Sequence, residues 1–164
     1  MKKLGIVVLF GVLAGCAPAT DEELFAEAVE AQKASDNEEA LEAYQEMMSE
    51  YPQSPRVPEA LYAMGSIYQD HLKDFPKAIA AYQKLVDAYP SHATAPNAQF
   101  LIGFINNNEL KDIDAARKAY EAFLQKYPES SLVSSARFEL DHLGIDAAEI
   151  LKEQTQESAT TSRK

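Results

Sequence analysis

The sequence predicts an all-α fold, an α-solenoid of about three helix pairs closed by a C-terminal capping helix. Three observations carry the prediction. The first is a recurrence at a fixed step of 38 residues, which relates Tyr51-Pro52, Tyr89-Pro90 and Tyr127-Pro128. The same step relates Tyr44, Tyr82 and Tyr120, then Ala40, Ala78 and Ala116, then Asp36, Asp74 and Asp112. A period of this length marks an array in which each unit buries its apolar face only by stacking on a neighbour. The second is spacing within a unit: Phe75, Ile79, Tyr82, Leu85, Val86 and Tyr89 lie three and four apart, on one face of a helix. The third is punctuation, with Asp before each second helix and Tyr-Pro after it.

Each element follows from local chemistry. The first unit spans about 21–56. Thr20 and Glu23 predict a capping box at its first helix, and Asp36 offers its carboxylate to the free N–H groups of the second. Pro52 stops that helix, because it has no N–H and disfavours helical geometry in the residue before it. The second unit, 57–94, and the third, 95–133, begin near Pro58 and Pro96, where a missing donor costs little. Small residues at fixed offsets, Gly65 and Gly103 among them, let neighbouring helices approach closely. The capping helix, 134–143, carries Arg137, Glu139 and Asp141, a polar ending for the stack. Gly144 terminates it, and Asp146 with Glu149 predicts one more short helix. The remainder to residue 164 has no apolar periodicity and reads as a disordered tail.

Over roughly residues 21–143 the pattern resembles the tetratricopeptide repeat. Gly65 and Gly103, with Ala28 in the first unit, match that family's small residue in the first helix. Ala40, Ala78 and Ala116 match the small residue of the second helix, Tyr44, Tyr82 and Tyr120 the aromatic that follows, and the terminal prolines match as well. The resemblance implies a right-handed solenoid whose first helices line a concave groove. Two features depart from it: the step is 38 residues rather than the family's 34, and Met47, Leu85 and Phe123 replace a small alanine. With stretches such as "AYQKLVDAYPSHATAPNAQF", these departures resemble an envelope subgroup. That subgroup includes the outer-membrane assembly lipoprotein BamD and the C-terminal domain of the Tol–Pal coordinator CpoB (YbgF).

The N-terminus "MKKLGIVVLFGVLAGC" has a basic start, an apolar run and small residues, the layout of a secretory signal peptide over residues 1–15. The apolar run is too short for a transmembrane helix. Leu13-Ala14-Gly15-Cys16 resembles the bacterial lipobox, which implies covalent lipid on Cys16, the only cysteine in the chain. Two or three acyl chains hold a protein on a bilayer far better than one. Ala17, in place of the aspartate that favours inner-membrane retention, implies a periplasm-facing protein of the outer membrane, or of the cell membrane where the organism has only one. Residues 16–20 then form a short tether.

Charge and motif content exclude several function classes. The chain carries a formal charge of −11, which argues against nucleic acid as a partner. Residues 21–50 hold eleven acids against Lys33 alone, either a solvated helix face or a docking surface for a basic partner. His71, His92 and His142 fall in no metal-ligand spacing, and neither a nucleophile elbow nor a phosphate loop is present. The expectation is a non-enzyme with no cofactor or metal, its only prosthetic group being the lipid on Cys16.

Function therefore rests on surfaces. Carried across from the family, Phe25, Tyr62 and Phe100 share one groove-facing position, and Val29, Ser66 and Phe104 the next. Gln32, Gln69 and Asn107 follow, then Lys33, Asp70 and Asn108. Such a groove suits an extended or helical peptide; the competing reading makes the aromatics core residues. The resemblance implies an adaptor that binds envelope proteins through this groove or its acidic first unit, in BamD-like assembly of outer-membrane proteins. The alternatives are CpoB-like coordination of peptidoglycan synthesis, a pilotin for a pilus or secretin, and, in a different class, an envelope hydrolase.

Overall fold

A computed structural model describes residues 18–145. The signal peptide and Cys16 lie outside the described residues, as does the predicted helix beyond Ile145. The described chain is all-helical: α1 (Asp21–Lys33), α2 (Asn37–Glu50), α3 (Val57–Ser66), α4 (Phe75–Ala88), α5 (Ala95–Asn108), α6 (Ile113–Lys126) and α7 (Val133–Asp141). Each helix packs chiefly on its neighbours in sequence, the contact pattern of a tetratricopeptide-like solenoid.

The second helices are capped by aspartate, whereas the first helices of the second and third units are not. The Asp36, Asp74 and Asp112 carboxylates accept the backbone N–H groups of Glu39, Lys77 and Ala115 at 3.2, 3.2 and 2.9 Å. In α3 and α5 no side chain caps the start, and proline occupies the first turn instead. Before each aspartate the chain turns through a non-glycine residue in the left-handed region: Ser35 (φ 64°), Lys73 (φ 53°) and Lys111 (φ 57°).

The units differ by one residue at this turn. α3 runs into a π-helical turn, Ile67–His71, closed by a bond of 3.1 Å from the Leu72 N–H to the Ile67 carbonyl. α5 ends alike, with the Leu110 N–H on the Ile105 carbonyl at 3.0 Å. A π-turn absorbs one extra residue, which is why Gln69 stands one residue further from Asp74 than Gln32 from Asp36.

The 38-residue period is the period of the core. Tyr44, Tyr82 and Tyr120 are fully buried, and so are Met47, Leu85 and Phe123 one turn later. The Tyr82 and Tyr120 rings lie flush against the backbones of Gly65 and Gly103. A Cβ on Gly65 would stand 2.6 Å from Tyr82 Cδ1, and one on Gly103 2.7 Å from Tyr120 Cε1.

The two ends of the array are finished differently. Thr20 and Glu23 close the expected capping box, with Glu23 N–H to Thr20 Oγ1 at 3.2 Å and Thr20 N–H to Glu23 Oε2 at 2.8 Å. The turn after α2 then clasps this end. Tyr51 donates its hydroxyl to the Ala19 carbonyl at 2.7 Å, Ser54 its hydroxyl to Asp21 at 2.7 Å, and Arg56 pairs with Glu22 at 2.9 Å. At the far end α7 is less polar than the sequence suggested. Phe138 remains 42% exposed, with the His142 ring stacked on it 4.2 Å away between centroids.

Candidate functional site

The first helices place the predicted groove residues at corresponding points of the three pairs. Phe25, Tyr62 and Phe100 are each half-buried, each leaning on the tyrosine of the following helix. The ring separations are 5.6 Å to Tyr44, 5.6 Å to Tyr82 and 5.5 Å to Tyr120, in tilted or edge-on arrangements favoured by the aromatic quadrupole. Each ring therefore belongs partly to the core and partly to the surface. Phe25 is further covered by the Arg56 guanidinium, 5.0 Å from its centroid.

Most of the polar positions are engaged internally. Gln32 and Gln69 accept the hydroxyls of Tyr44 and Tyr82, both at 3.2 Å. Asn107 is one methylene shorter than Gln69; it is buried, and its side-chain oxygen accepts the Gly144 N–H at 3.1 Å. Asn108 donates to the Phe104 carbonyl at 3.1 Å, and the Ser66 hydroxyl to Asp70 at 3.0 Å. Val29 and Phe104 are half-buried. Lys33 pairs with Glu30 at 2.7 Å.

The third unit thus breaks the tyrosine–amide pattern: the buried Tyr120 hydroxyl has no amide partner and lies beside the Glu139 carboxylate, without a hydrogen bond of good geometry. Burial, and then the neighbouring Glu139 charge, push Tyr120 well above the usual phenol range. Tyr82→Phe is expected to lower stability by about 1 kcal/mol through loss of its bond to Gln69, whereas Tyr120→Phe is expected to cost less, because its hydroxyl makes no bond of good geometry. Denaturant titration of the two variants checks the contrast; equal losses would remove it.

Glu139 itself is raised above the usual carboxylate range, chiefly by burial. A raised acid holds its proton more tightly in the folded chain than in the unfolded one. Its contribution is therefore fully present below the unfolded pKa and is lost as pH rises through the folded value. Glu139→Gln is expected to melt above the wild type at neutral pH, with the gap closing in acid. Paired melting curves from about pH 3 to 8 test this, and a Gln variant that is the less stable at neutral pH would refute it.

The opposite side of the array, where the second helices lie, has openings that sequence reasoning missed. Between α2, α3 and α4 is a shallow open cleft of about 340 Å³, lined by Met48, Leu61, Met64 and Tyr68, with Lys77 and Lys84 beside it. One repeat on, between α4, α5 and α6, is a second of about 280 Å³. Its positions follow by the same 38-residue step, Gln45 to Gln83, Met64 to Ile102, Tyr68 to Asn106 and Ala81 to Ala119. The available signal was the pair of small residues Ala80 and Ala81 on α4, which leaves the groove between second helices unfilled.

No group of metal-ligating side chains is present among the described residues, and no helix among them is long and apolar enough to cross a membrane. The fold and surfaces define a helical-repeat scaffold of the tetratricopeptide type. Residues 18–150 match the family model YfiO, described as an outer membrane lipoprotein. The chain belongs to that family, the BamD type of tetratricopeptide lipoprotein, which comprises adaptors rather than enzymes. No curated protein matches the chain.

Proposed function

We propose that the protein is a lipid-anchored adaptor in outer-membrane protein assembly, held by acyl chains on Cys16 and facing the periplasm. The observation that carries this reading is the family match, which runs through all three helix pairs and the capping helix. The partner is a protein of the envelope machinery, docked on the first-helix side along the half-exposed row Phe25, Tyr62 and Phe100. Phe104 and Ser66 flank that row. Gln69, Asn107 and Asn108 support it from within, since their amides are spent on internal bonds.

Two measurements test the reading. Cys16→Ala is expected to abolish metabolic palmitate labelling and release the protein from the membrane fraction; unchanged labelling would reject the anchor. Photo-crosslinkers at Tyr62 and Phe104 in intact cells are expected to trap a β-barrel assembly component, and depletion to lower outer-membrane barrel levels. Capture of a Tol–Pal component or a secretin, with barrel levels unchanged, would reject the assembly role.

A further inference from the structure

We propose a second docking surface, on the side opposite the predicted groove: a track across α4 that takes an acidic protein segment bearing apolar anchors. This deepens the adaptor reading and rests on it for biological meaning. The track consists of the two repeat-related openings. Lys77 and Lys84 line the first, Lys118 and Lys126 the second, and no aspartate or glutamate lines either. On a chain of formal charge −11 the charged lining side chains are all basic, with Asp87 at the rim held by Gln83 at 2.9 Å, a local excess of positive charge that favours an acidic ligand over a basic one. Lys77 already pairs with Asp74 at 2.9 Å. Lys84, Lys118 and Lys126 have no carboxylate partner within ion-pair distance among the described residues.

The two openings differ in what they offer. The first has an apolar floor of Met48, Leu61, Met64 and Tyr68, and its volume falls at the lower end of ligand-holding clefts, about 300 Å³ and upward. Two of those side chains are methionines, whose flexible thioethers adapt to varied apolar partners. The floor of the second includes Gln99 and Asn106, whose amides are committed to the Ala119 and Ile102 carbonyls at 3.0 and 2.8 Å. Apolar anchors therefore seat between α2, α3 and α4. The carboxylates run towards Lys118 and Lys126, away from the acidic first unit. The ligand has a polarity along the array.

The chain carries its own reporters. Met48 and Met64 line the first opening, whereas Met47, next to Met48 in sequence, is fully buried in the core. The experiment titrates the methyl-labelled full chain with synthetic peptides of about twelve residues, two leucines four apart flanked by glutamates, glutamines or lysines. The glutamate peptide is expected to shift the Met48 and Met64 methyl signals and leave Met47 in place. It should bind at least about ten-fold more tightly than the lysine peptide, with the preference fading at high salt. Lys84→Glu with Lys118→Glu is expected to weaken it about ten-fold, and Lys84→Arg with Lys118→Arg to preserve binding. Lys84 and Lys118 are both exposed, so an unmoved Met47 signal in each variant verifies the fold. No methyl shift, a preference for the lysine peptide, or indifference to charge reversal would overturn the proposal. The titration uses no cells, so its failure leaves the outer-membrane assembly role standing, and failure of that role leaves the titration readable.

Discussion

Gly65→Ala is expected to destabilise the array even though alanine is the better helix former. Propensity alone favours alanine in a helix interior by about 1 kcal/mol. Against this stands the Tyr82 ring, three of whose carbons would lie under 3 Å from the new methyl group. The ring is fully buried and its hydroxyl is tied to Gln69, so it cannot swing aside without breaking that bond and its contact with Tyr62. Overpacking of this kind costs about 3 kcal/mol, so the net loss is about 2 kcal/mol and sterics win. Gly103→Ala should fall in the same direction by less, because its Tyr120 contacts are looser at 2.7 to 2.9 Å and that hydroxyl is untethered. The first unit frames the comparison: Ala28 takes the glycine's place there, in the unit whose hairpin is one residue shorter. Melting temperatures of the two variants decide the matter, and a Gly65→Ala protein as stable as the wild type would defeat the argument.

Phe123→Ala is the second large effect, and it runs against what the repeat family would suggest. Alanine is the residue the family usually has at that position, so the change looks like a return to consensus. In this chain Phe123 is fully buried between Phe100 and Tyr127, with ring centroids 6.1 and 5.8 Å away. It belongs to the small apolar cluster that joins α6 to α7 through Ala136. Removing it leaves a void that a two-sided helix stack cannot close, at a cost of about 3–5 kcal/mol. In an array each unit is held only by its neighbours, so the damage should stay local. Amides of α6 and α7 are expected to lose hydrogen-exchange protection well before those of α1 to α4. A loss below about 1 kcal/mol, or one spread evenly over all helices, would contradict this.

The elements legible in the sequence were those governed by local chemistry. The aspartate caps, the Thr20–Glu23 box and the proline stops each act within four residues, and all lie where spacing placed them. The period also placed the buried tyrosines. The π-turn at Ile67–His71 was written in the sequence as a 37-residue step from Phe25 to Tyr62 followed by 38 to Phe100, but an offset alone does not tell a longer loop from a wider helical turn. The site was harder for a different reason. Gln69 and Asn107 are amides on helices, suited equally to a ligand or to an internal partner. What engages them, a tyrosine hydroxyl across the hairpin and the N–H of Gly144, comes from elements 13 and 37 residues away. The openings beside Lys84 and Lys118 depend on three helices at once, which no single periodicity encodes.

The clasp around the first turn has a consequence for how the molecule meets others. Because Tyr51 holds the Ala19 carbonyl and Arg56 holds Glu22, only three peptide links separate a lipidated Cys16 from fixed structure, about 10 Å at full stretch. Under the proposed anchoring, an array leashed so tightly would not tumble freely. It would sweep a shallow cone over the bilayer, and a partner in the same membrane would meet it by lateral diffusion at a nearly constant height. Inserting a long flexible linker between Ala17 and Pro18 would leave the clasp at Ala19 in place and enlarge the volume searched, so encounter with a membrane-embedded partner would slow while encounter with a soluble one would not.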